Sequence, residues 1–534
     1  MKKKVFKVIP GLLLSTALVF AGCSSGNNES GSSESGSDSS SGAAKPATLK
    51  VMMFGDKPAD MDKILAEYES RSKAELNTKL EIEFNPSADH KQKLGLKMAA
   101  GEEVDLAFDA GFLSLNQNIS NGFYQELDKY FNNDEYPGLK KAFPPELVKA
   151  NQTNGKLYVI PLTQYYYDVD CIFIRKDLRE KYGLEPIQSY DDLKVYLDKV
   201  QENDSSLIPM ALRGERGFYK LFENEIKQTG FRVSLGGAGA PFSLVLSEDG
   251  TKVLNAVTFG DPQSLYDSFP APFNQQFYFE QPYDKYVEFS KYLEKDVLVQ
   301  KDPQSLFVSG KAAINEGTLS GFSSIQEKLK SGVPGAELEV FIYNSKVREM
   351  QPEAIGVTYK ANNNMVIPVT SKNADRTMKF LDWVYSSQDN HDLFELGIEG
   401  EHWEKDGDAG FKPLDGLKNY NFPSYQLTLN SLMSRVNTNN DANVLEYLNY
   451  SAQANTYYKI PLAGFSFNSE PVKTEVAKLS SKYLEYYPLM KNGLDPDWRE
   501  SMTKLNKELS ALGLEKVRTE LVKQAQEYLD NGGE

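Results

Sequence analysis

The sequence predicts an α/β protein that folds as two lobes around a cleft. Between residues 48 and 108, apolar strands alternate with amphipathic helices, a pattern typical of a mostly parallel sheet covered by helices. About 490 residues follow the polar N-terminal region, more than one ordinary core holds, so two or more domains are expected. The stretch from Asn154 to Leu178 places three tyrosines and an aspartate between two strand-like segments. That order suits a segment that crosses from one lobe to the other.

Three strands open the folded body, at residues 48–53, 80–84 and 104–108. An amphipathic helix separates the first two strands. Asp89 is expected to cap a second helix, and Gly101 is expected to end it. The three strands are therefore predicted to lie parallel in one sheet.

Candidate ligand contacts follow the strands of this first unit. Asp56 comes shortly after the first strand, and Asp109 and Phe112 follow the third. Ligands of open α/β sheets collect beyond the carboxyl ends of the strands, so these three side chains are expected near one site. A structural alternative stays open, in which Asp56 starts a turn before Pro58 and Asp109 caps the next segment.

The crossing segment holds the densest set of candidate contacts, Tyr165, Tyr166, Tyr167 and Asp168. Aromatic faces stack on sugar rings, and a carboxylate accepts hydrogen bonds from hydroxyl groups. In an extended chain Tyr165 and Tyr167 share one side, while Tyr166 and Asp168 share the other. The alternative is that the tyrosines only fill an interface between domains.

The rest of the chain has the same strand-and-helix style, beginning with a helix that Ser189 is expected to cap. A strand at 312–315 ends at Glu316, another strand follows at 364–368, and a helix starts at Asn373. Glu316 is a candidate ligand contact or a residue of a surface turn. Trp403 is a candidate for stacking on a ligand or for sealing the interface between lobes. Two amphipathic helices close the chain.

The N terminus predicts export and a lipid anchor. A basic segment at residues 2–7 precedes an apolar segment at residues 8–20, which is too short to span a membrane and is typical of a secretory signal. The ending Ala21-Gly22-Cys23 resembles the bacterial lipoprotein box, in which cleavage leaves the cysteine as a lipid-modified first residue. A stretch of mainly Ser, Gly, Asn, Glu and Asp follows, which predicts a flexible tether.

Charge and cysteine content exclude several classes of partner and site. The chain has 59 basic and 75 acidic residues, a net charge of −16, and loss of the four signal lysines takes this to −20. Such a surface does not favour nucleic acid or anionic lipid. Cys171 is the only cysteine besides Cys23, so neither an internal disulfide nor a cysteine-based zinc site is expected in the mature chain.

Motifs of common enzyme classes are missing from the sequence. The three histidines do not form H-E-x-x-H, and neither G-x-S-x-G nor G-x-x-x-x-G-K-[ST] occurs. The prediction is therefore a protein that is not an enzyme, with no catalytic residue, cofactor or metal. Two alternatives stay open, a glycosidase that pairs carboxylates such as Asp168 and Glu316, and a ligand-sensing or adhesion lipoprotein.

Several stretches carry a family resemblance in their order and spacing. They are Phe54-Gly-Asp-Lys, Val104-Asp-Leu-Ala-Phe-Asp, Asn154-Gly-Lys-Leu-Tyr-Val-Ile-Pro, Phe307-Val-Ser-Gly-Lys-Ala-Ala-Ile-Asn-Glu-Gly and Val366-Ile-Pro-Val-Thr-Ser-Lys-Asn. Together they resemble the extracellular solute-binding proteins of ABC importers, family 1, the sugar-binding group related to maltose-binding protein. The C-terminal region is similar to the DUF3502 region of LplA-type lipoproteins, which are common in Gram-positive bacteria.

The resemblance implies a two-lobed, periplasmic-binding-protein-like fold of type II, in which each lobe has a central sheet flanked by helices and a hinge joins the lobes. The implied divisions are a signal peptide (1–22), a tether (23–47), the first lobe (48–163), the second lobe (164–350), a return to the first lobe (351–400) and a C-terminal DUF3502-like helical region that completes the lobes (401–534).

The resemblance also implies a function. The protein is expected to be a monomer, anchored through Cys23 on the extracellular face of the cytoplasmic membrane. There it would capture an oligosaccharide and deliver it to permease subunits served by a separate ATPase. Asp56, Lys57, Asp168 and Glu316 fall at or near positions where the family contacts its ligand. The tryptophan that many members place after the position of Glu316 is absent, so the stacking ring is expected from Tyr165 to Tyr167 or from Trp403.

Overall fold

The structure, a computed structural model, describes residues 45–111, 113–153, 155–162, 169–218, 221–222, 232–235, 237–300 and 302–532. In chain order its strands are β1 (Ala47–Phe54), β2 (Thr78–Asn85), β3 (Leu106–Ala110), β4 (Ile160–Leu162), β5 (Asp170–Arg175), β6 (Arg232–Leu235), β7 (Phe242–Leu246), β8 (Val253–Val257), β9 (Ile314–Thr318), β10 (Leu338–Ile342), β11 (Ile355–Val357), β12 (Asn363–Val366), β13 (Trp403–Asp406), β14 (Gly410–Pro413), β15 (Val436–Asn437) and β16 (Tyr457–Lys459).

The helices of these ranges follow in the same order. They are α1 (Met61–Ser72), α2 (Ser87–Ala100), α3 (Leu115–Ser120), α4 (Pro137–Ala142), α5 (Pro145–Ala150), α6 (Lys176–Lys181), α7 (Tyr190–Asn203), α8 (Gln276–Glu280), α9 (Pro282–Ser290), α10 (Pro303–Val308), α11 (Phe322–Gly332), α12 (Ser345–Arg348), α13 (Ala374–Ser386), α14 (Gln388–Glu395), α15 (Ala442–Ser451), α16 (Lys473–Lys491), α17 (Trp498–Ala511) and α18 (Leu514–Asp530).

The first lobe is organised by a five-stranded sheet in the order β2-β1-β3-β12-β4. Strands β2 and β3 pair parallel with β1, as predicted. Val51, Met52 and Met53 of β1 are buried in succession, because helices cover both faces of a sheet of this kind. Strand β12 runs antiparallel to both β3 and β4, so β4 runs in the same direction as β1, β2 and β3 and the sheet is mostly parallel, as predicted.

Local signals place the helix ends of the first lobe. Helix α2 ends at Gly101, which has a φ of 72°, so the left-handed cap was predicted correctly. The start of α2 was not, because the helix begins at Ser87 after Pro86 and Asp89 lies within its first turn. A carboxylate there interacts favourably with the positive end of the helix without capping it.

The second lobe has a different central sheet, in the order β10-β5-β9. Strand β5 is antiparallel to both neighbours, so this lobe does not repeat the parallel style of the first. Cys171 to Ile174 are buried in succession at its centre. Ser189 caps α7 by accepting a hydrogen bond from the backbone N–H of Asp192, as the sequence predicts.

Two C-terminal helices complete the second lobe. Arg518 of α18 donates to both carboxylate oxygens of Asp261 at 2.8 Å, and both side chains are buried. The guanidinium also contacts the carbonyl oxygen of Ala256 in β8. The ion pair thereby fixes α18 to the three-stranded sheet β6-β7-β8.

Separate hydrophobic cores divide the described residues into the two lobes. One core joins residues between Leu49 and Leu162 to residues between Met365 and Met433. Two other clusters join residues between Val169 and Ala354 to residues between Val444 and Ala525. The two-lobed α/β fold predicted from the sequence is confirmed.

The chain passes between these cores three times. The passes lie between β4 and β5, between β11 and β12, and between β15 and α15. The predicted domain boundaries at residues 163, 350 and 400 stay a prediction, because core membership reports side-chain packing and not independent folding.

No helix among the described residues is both long enough and apolar enough to cross a membrane.

Candidate functional site

The first pass connects the central sheets of the two lobes. In the first lobe, Asn363 at the start of β12 pairs with both Ala110 at the end of β3 and Leu162 at the end of β4. In the second lobe, Asp170 at the start of β5 pairs with Thr318 at the end of β9. The pass from β4 to β5 connects these two sheets along the chain, so the sheet edges on either side of it are the candidate site.

A pair of half-buried aromatic rings forms the edge of the first lobe. The rings of Phe54 and Tyr425 lie 5.7 Å apart, and Tyr425 also packs edge-on against the buried ring of Phe108 at 6.1 Å. The side chain of Gln426 holds this arrangement, because its Oε1 accepts from the Phe54 N–H at 2.9 Å and its Nε2 donates to the Phe54 carbonyl oxygen at 2.6 Å. Both rings are thus fixed at the end of β1.

Asp56 and Lys57 lie exposed just beyond these rings. Gly55 makes the turn with a φ of 106°, a conformation that favours glycine. Lys57 Nζ lies 2.7 Å from Asp62 in a surface ion pair. The predicted placement of both residues at the carboxyl end of β1 is observed, while their contact with a ligand stays a prediction.

Asp109 is only 1% exposed. One carboxylate oxygen accepts from the backbone N–H groups of Ala110 and Ser114, at 2.8 and 3.2 Å, and the other from the Asn118 amide and the Tyr124 hydroxyl, at 3.0 and 2.5 Å. Burial, together with the charge of Asp109, raises the pKa of Tyr124 far above its ordinary value. Asp109 therefore holds the loop that follows β3.

A cavity of about 340 Å³ forms the edge of the second lobe. Glu316 lies in it with a side chain only 6% exposed, 3.4 Å from the more exposed guanidinium of Arg216. Asp170 and Lys328 add a second pair of opposite charges to the lining, and the Tyr343 ring forms part of the wall. Burial raises the pKa of Tyr343 well above its ordinary value, with Glu316 and Asp170 adding to the shift.

The floor of this cavity needs glycine beside Glu316. A Cβ on Gly317 would lie 2.2 Å from the Phe173 ring. A side chain at this position would therefore displace the ring or close the cavity. Donors, acceptors and aromatic surface together suit a ligand rich in hydroxyl groups.

Trp403 lies elsewhere in the first lobe. It is 3% exposed and packs with Leu396 and Phe411 in a small cluster. Its indole N–H donates to the Gly397 carbonyl oxygen at 2.9 Å, and the guanidinium of Arg435 lies 5.3 Å from its ring centre. The structure therefore does not bring Trp403 to the two edges described above.

The remaining predicted site residues, Phe112, Tyr165, Tyr166, Tyr167 and Asp168, and the predicted lipidation site Cys23, lie outside the described residues.

One cluster of the described residues, Asp60, Glu401 and His402, has side chains of the kind that ligate metals. The Lys63 ammonium lies among them, 2.6 Å from Glu401 and 3.2 Å from Asp60. His402 Nδ1 accepts a hydrogen bond from the backbone N–H of Ile398, so a neutral ring carries its proton on Nε2, the nitrogen that faces Asp60. With a cation present and no ring lone pair available, these residues fit an ion-pair network rather than a metal site.

Sequence reasoning missed three residues that shape the two edges. Tyr425 and Gln426 follow Phe422 and Pro423 in an irregular stretch with no strand or helix period. Arg216 lies in a short Gly-rich stretch of the same kind. A hydrogen bond that joins Gln426 to Phe54 across 372 residues leaves no local pattern in the sequence.

Comparison with known proteins identifies the class. Residues 55–391 match the bacterial extracellular solute-binding protein family, and residues 461–530 match a domain of unknown function, DUF3502. The chain therefore belongs to the bacterial extracellular solute-binding proteins, and the family predicted from the sequence is confirmed.

Individual relatives agree with this class over nearly the whole chain. A carbohydrate ABC transporter substrate-binding protein of Streptococcus pneumoniae serotype 4 is 25% identical over 537 residues, covering 99% of each chain. The crystal structure of the N-glycan transport solute binding protein of S. pneumoniae aligns with a TM-score of 0.69 at 22% identity, over 91% of this chain and 100% of that one. A solute-binding protein of Bifidobacterium longum infantis, described as HMO binding and ABC-transporter associated, aligns at 0.60 and 16%, over 91% and 99%.

Proposed function

We propose that this protein is the lipid-anchored, extracellular solute-binding component of an ABC importer and that it captures an oligosaccharide between its lobes. Cys23 would carry the anchor. The permease and the ATPase would be separate chains, and the protein would act as a monomer without chemical change to the sugar. Carbohydrate specificity is supported by the relatives, which include an N-glycan transport solute binding protein and a carbohydrate ABC transporter substrate-binding protein.

The observation that carries the proposal is the pairing of unlike edges across the first pass. The first lobe offers the fixed Phe54 and Tyr425 rings, and the second offers the Glu316 cavity with charged donors and acceptors. A sugar ring has an apolar face that stacks on an aromatic ring and a rim of hydroxyl groups that hydrogen-bond to charged side chains. The two edges together match both features of one molecule.

Capture then requires closure. A ligand shifts the lobes toward a closed form only if it binds that form more tightly than the open one. Contacts divided between two lobes meet this condition, because both sets are made at once only when the edges approach. The hinge motion would occur in the three connecting passes.

The contact residues can now be proposed in two groups. Asp56 and Lys57 lie just beyond β1, and Glu316 lies within β9 rather than at a strand end as predicted. All three are retained as ligand contacts, together with Phe112 and the group Tyr165 to Asp168. Asp109 is proposed to act indirectly, by holding the loop after β3. Trp403 is also proposed to act indirectly, by packing in the interior of the first lobe.

A direct test is a thermal-shift screen of plant, bacterial and host oligosaccharides, followed by calorimetry on each positive. A true ligand raises the melting temperature and binds with a saturable isotherm. Chromatography of the recovered sugar must show it unchanged; cleavage would support the glycosidase alternative instead. Failure of every oligosaccharide alongside binding of a peptide or another small solute would overturn the carbohydrate assignment.

A further inference from the structure

The loop that carries Arg216 is held by the C-terminal segment of unknown function. Residues 213–218 form this loop, the Arg216 loop, and Arg216 lines the cavity of the second lobe. Helix α16 ends at Lys491, within the segment 461–530 that matches DUF3502. Lys491 and Asn492 at this helix end contact the Arg216 loop, although more than half of the chain length separates them from it.

The contacts reach the backbone of the loop. The amide of Asn492 donates to the carbonyl oxygen of Gly214 at 2.9 Å, and the ammonium group of Lys491 donates to the carbonyl oxygen of Glu215. In return, the carbonyl oxygen of Lys491 accepts from the backbone N–H of Phe218 at 2.8 Å. Backbone groups before and after the arginine are therefore bound to the end of one helix.

Burial and a glycine make this contact close. Asn492 is 0% exposed and Lys491 is 9% exposed. Gly217 has a φ of 60°, and a Cβ at this position would collide with the carbonyl oxygen of Lys491. The amide of Asn492 also donates to the carbonyl oxygen of Pro488 at 2.8 Å, one turn earlier in α16. The side chain that holds the loop is thus itself fixed by its own helix.

Arg216 depends on this support because its side chain is exposed. Its guanidinium lies 3.4 Å from the carboxylate of Glu316, and the two side chains are 44% and 6% exposed. An exposed ion pair contributes little when long, flexible side chains must be ordered to form it. A backbone that is fixed in advance lowers that entropic cost. The orientation of the Glu316 carboxylate therefore depends on the Arg216 loop, and through it on the end of α16.

We propose that Lys491 and Asn492 are positioning residues of the ligand site, which hold the Arg216 loop so that Arg216 orients Glu316 toward the hydroxyl groups of the captured oligosaccharide. This inference rests on the proposed function. It gives the C-terminal segment of unknown function a role in ligand binding besides completing the second lobe. A segment that only stabilised the lobe would not act through Arg216, and this difference can be measured.

Hydrogen exchange measures the support without any sugar. The matched control for Asn492→Ala is Asn506→Ala, because Asn506 is a half-buried asparagine of α17 whose amide donates to the carbonyl oxygen of Phe259 at 2.8 Å and so holds a different loop of the same lobe. Exchange in residues 213–218 should accelerate about fivefold in Asn492→Ala, the factor that one hydrogen bond contributes, and should be unchanged in Asn506→Ala. Equal exchange in all three proteins would overturn the inference and leave the proposed function standing.

Calorimetry measures the effect on binding. The probe is the sugar that gives the largest rise in the melting temperature of wild type in the oligosaccharide screen. Arg216→Met should weaken its binding about tenfold, and Asn492→Ala and Lys491→Met about threefold to fivefold each. The double variant of Arg216→Met and Asn492→Ala should bind like Arg216→Met alone, because Asn492 acts through Arg216. Asn506→Ala should bind like wild type.

The remaining outcomes count against the inference or against the proposed function. Losses that add in the double variant would show that Asn492 acts independently of Arg216 and would overturn the inference. Wild-type affinity in Arg216→Met, or in both Asn492→Ala and Lys491→Met, would overturn it as well. Binding of no oligosaccharide by wild type would instead overturn the proposed function, together with the inference that rests on it.

Discussion

The two edges of the proposed cleft are built in opposite ways. The first lobe presents aromatic rings whose positions are fixed by neutral amide contacts, as Gln426 does for Phe54. The second lobe presents a cavity lined by charged side chains, with Glu316 and Arg216 among them. The difference suggests that one lobe recognises the apolar face of a sugar and the other its polar rim, so that neither suffices alone.

The carboxylates of the two edges sharpen this comparison. Asp109 lies in β3 and Glu316 in β9, and both side chains are buried, yet Asp109 accepts four hydrogen bonds from its own lobe while Glu316 lies in a cavity beside an exposed arginine. The four hydrogen bonds that Asp109 accepts within its own lobe argue against direct ligand contact by this carboxylate.

The largest expected effect is on stability, from breaking the buried ion pair between Arg518 and Asp261 in the second lobe. Arg518→Met leaves Asp261 buried without its partner and should lower the free energy of unfolding by about 3–5 kcal/mol, measured by urea denaturation. The matched control is Lys516→Met, which removes an exposed ion pair with Glu475 and should change it by less than about 1 kcal/mol. Hydrogen exchange should accelerate in β8 and not in β1. An Arg518→Met protein as stable as the control would contradict this account of the lobe.

Glu316 is the next residue to change. Glu316→Gln keeps the shape and removes the charge, so it should weaken binding of a ligand found in the screen by about 1.5–3 kcal/mol, the contribution of a charged hydrogen bond, as measured by calorimetry. Arg216→Met removes the ion pair but leaves the charge on Glu316. It therefore tests whether the binding free energy lost in Glu316→Gln comes from a contact with the ligand or from the ion pair. If Glu316→Gln bound like wild type, the cavity would not be part of the site.

Tyr425 tests the aromatic edge of the first lobe. Tyr425→Ala should weaken binding by about 1 kcal/mol or more, while Tyr425→Phe keeps the ring and should bind nearly normally. Tyr278→Ala, which trims a half-buried ring packed on Phe273 in the second lobe, should lower stability and leave affinity unchanged. If Tyr425→Ala and wild type bound the ligand with equal affinity, the Tyr425 ring would not contact the ligand.

The smallest expected effect is a change in stability with pH, caused by His391 in the core of the first lobe. Burial opposes protonation of His391, but the carboxylate of Glu395, with Asp392 and the Thr428 carbonyl, outweighs it and raises the pKa above 6.5. The folded state thus holds this proton more tightly, so its contribution to stability is complete below pH 6.5 and is lost as the pH rises through the folded pKa. Arg518 of the second lobe stays charged throughout.

The measurement is the melting temperature of wild type and His391→Gln from about pH 6 to pH 8. Wild type should lose more stability than the variant over this range. Parallel curves would show that His391 does not titrate as described.

The sequence predicted the parts of the fold that local patterns encode. Alternating strands and helices identified the parallel half of the first sheet, and Gly101 and Ser189 marked helix ends because each supplies a local backbone contact. The antiparallel course of β12 and of the whole β10-β5-β9 sheet was not predictable this way. The direction of a strand depends on which distant segments pair with it. The alternation of apolar and polar residues along a strand does not specify that pairing.

The site was predictable only in outline. The expectation that the strand ends and the first pass form one site stays a prediction, because residues 163–168 of that pass lie outside the described residues. The clamp by Gln426 joins residues 372 positions apart, which no local pattern marks. The partners of Asp109 lie within 15 residues of it, but whether a loop turns back onto its own carboxylate depends on the loop's fold and not on a sequence period.

Closure on a shared ligand is the central claim, and a distance measurement between the lobes tests it most directly. Spin labels at Lys141→Cys in α4 and Lys330→Cys in α11 report on the first and second lobes, in a Cys23→Ser protein whose remaining Cys171 is buried. Electron–electron resonance should show a distance distribution that shifts and narrows on addition of a saturating oligosaccharide identified by the screen. A distribution that does not change, with binding of the same sugar verified by calorimetry, would contradict capture by both lobes.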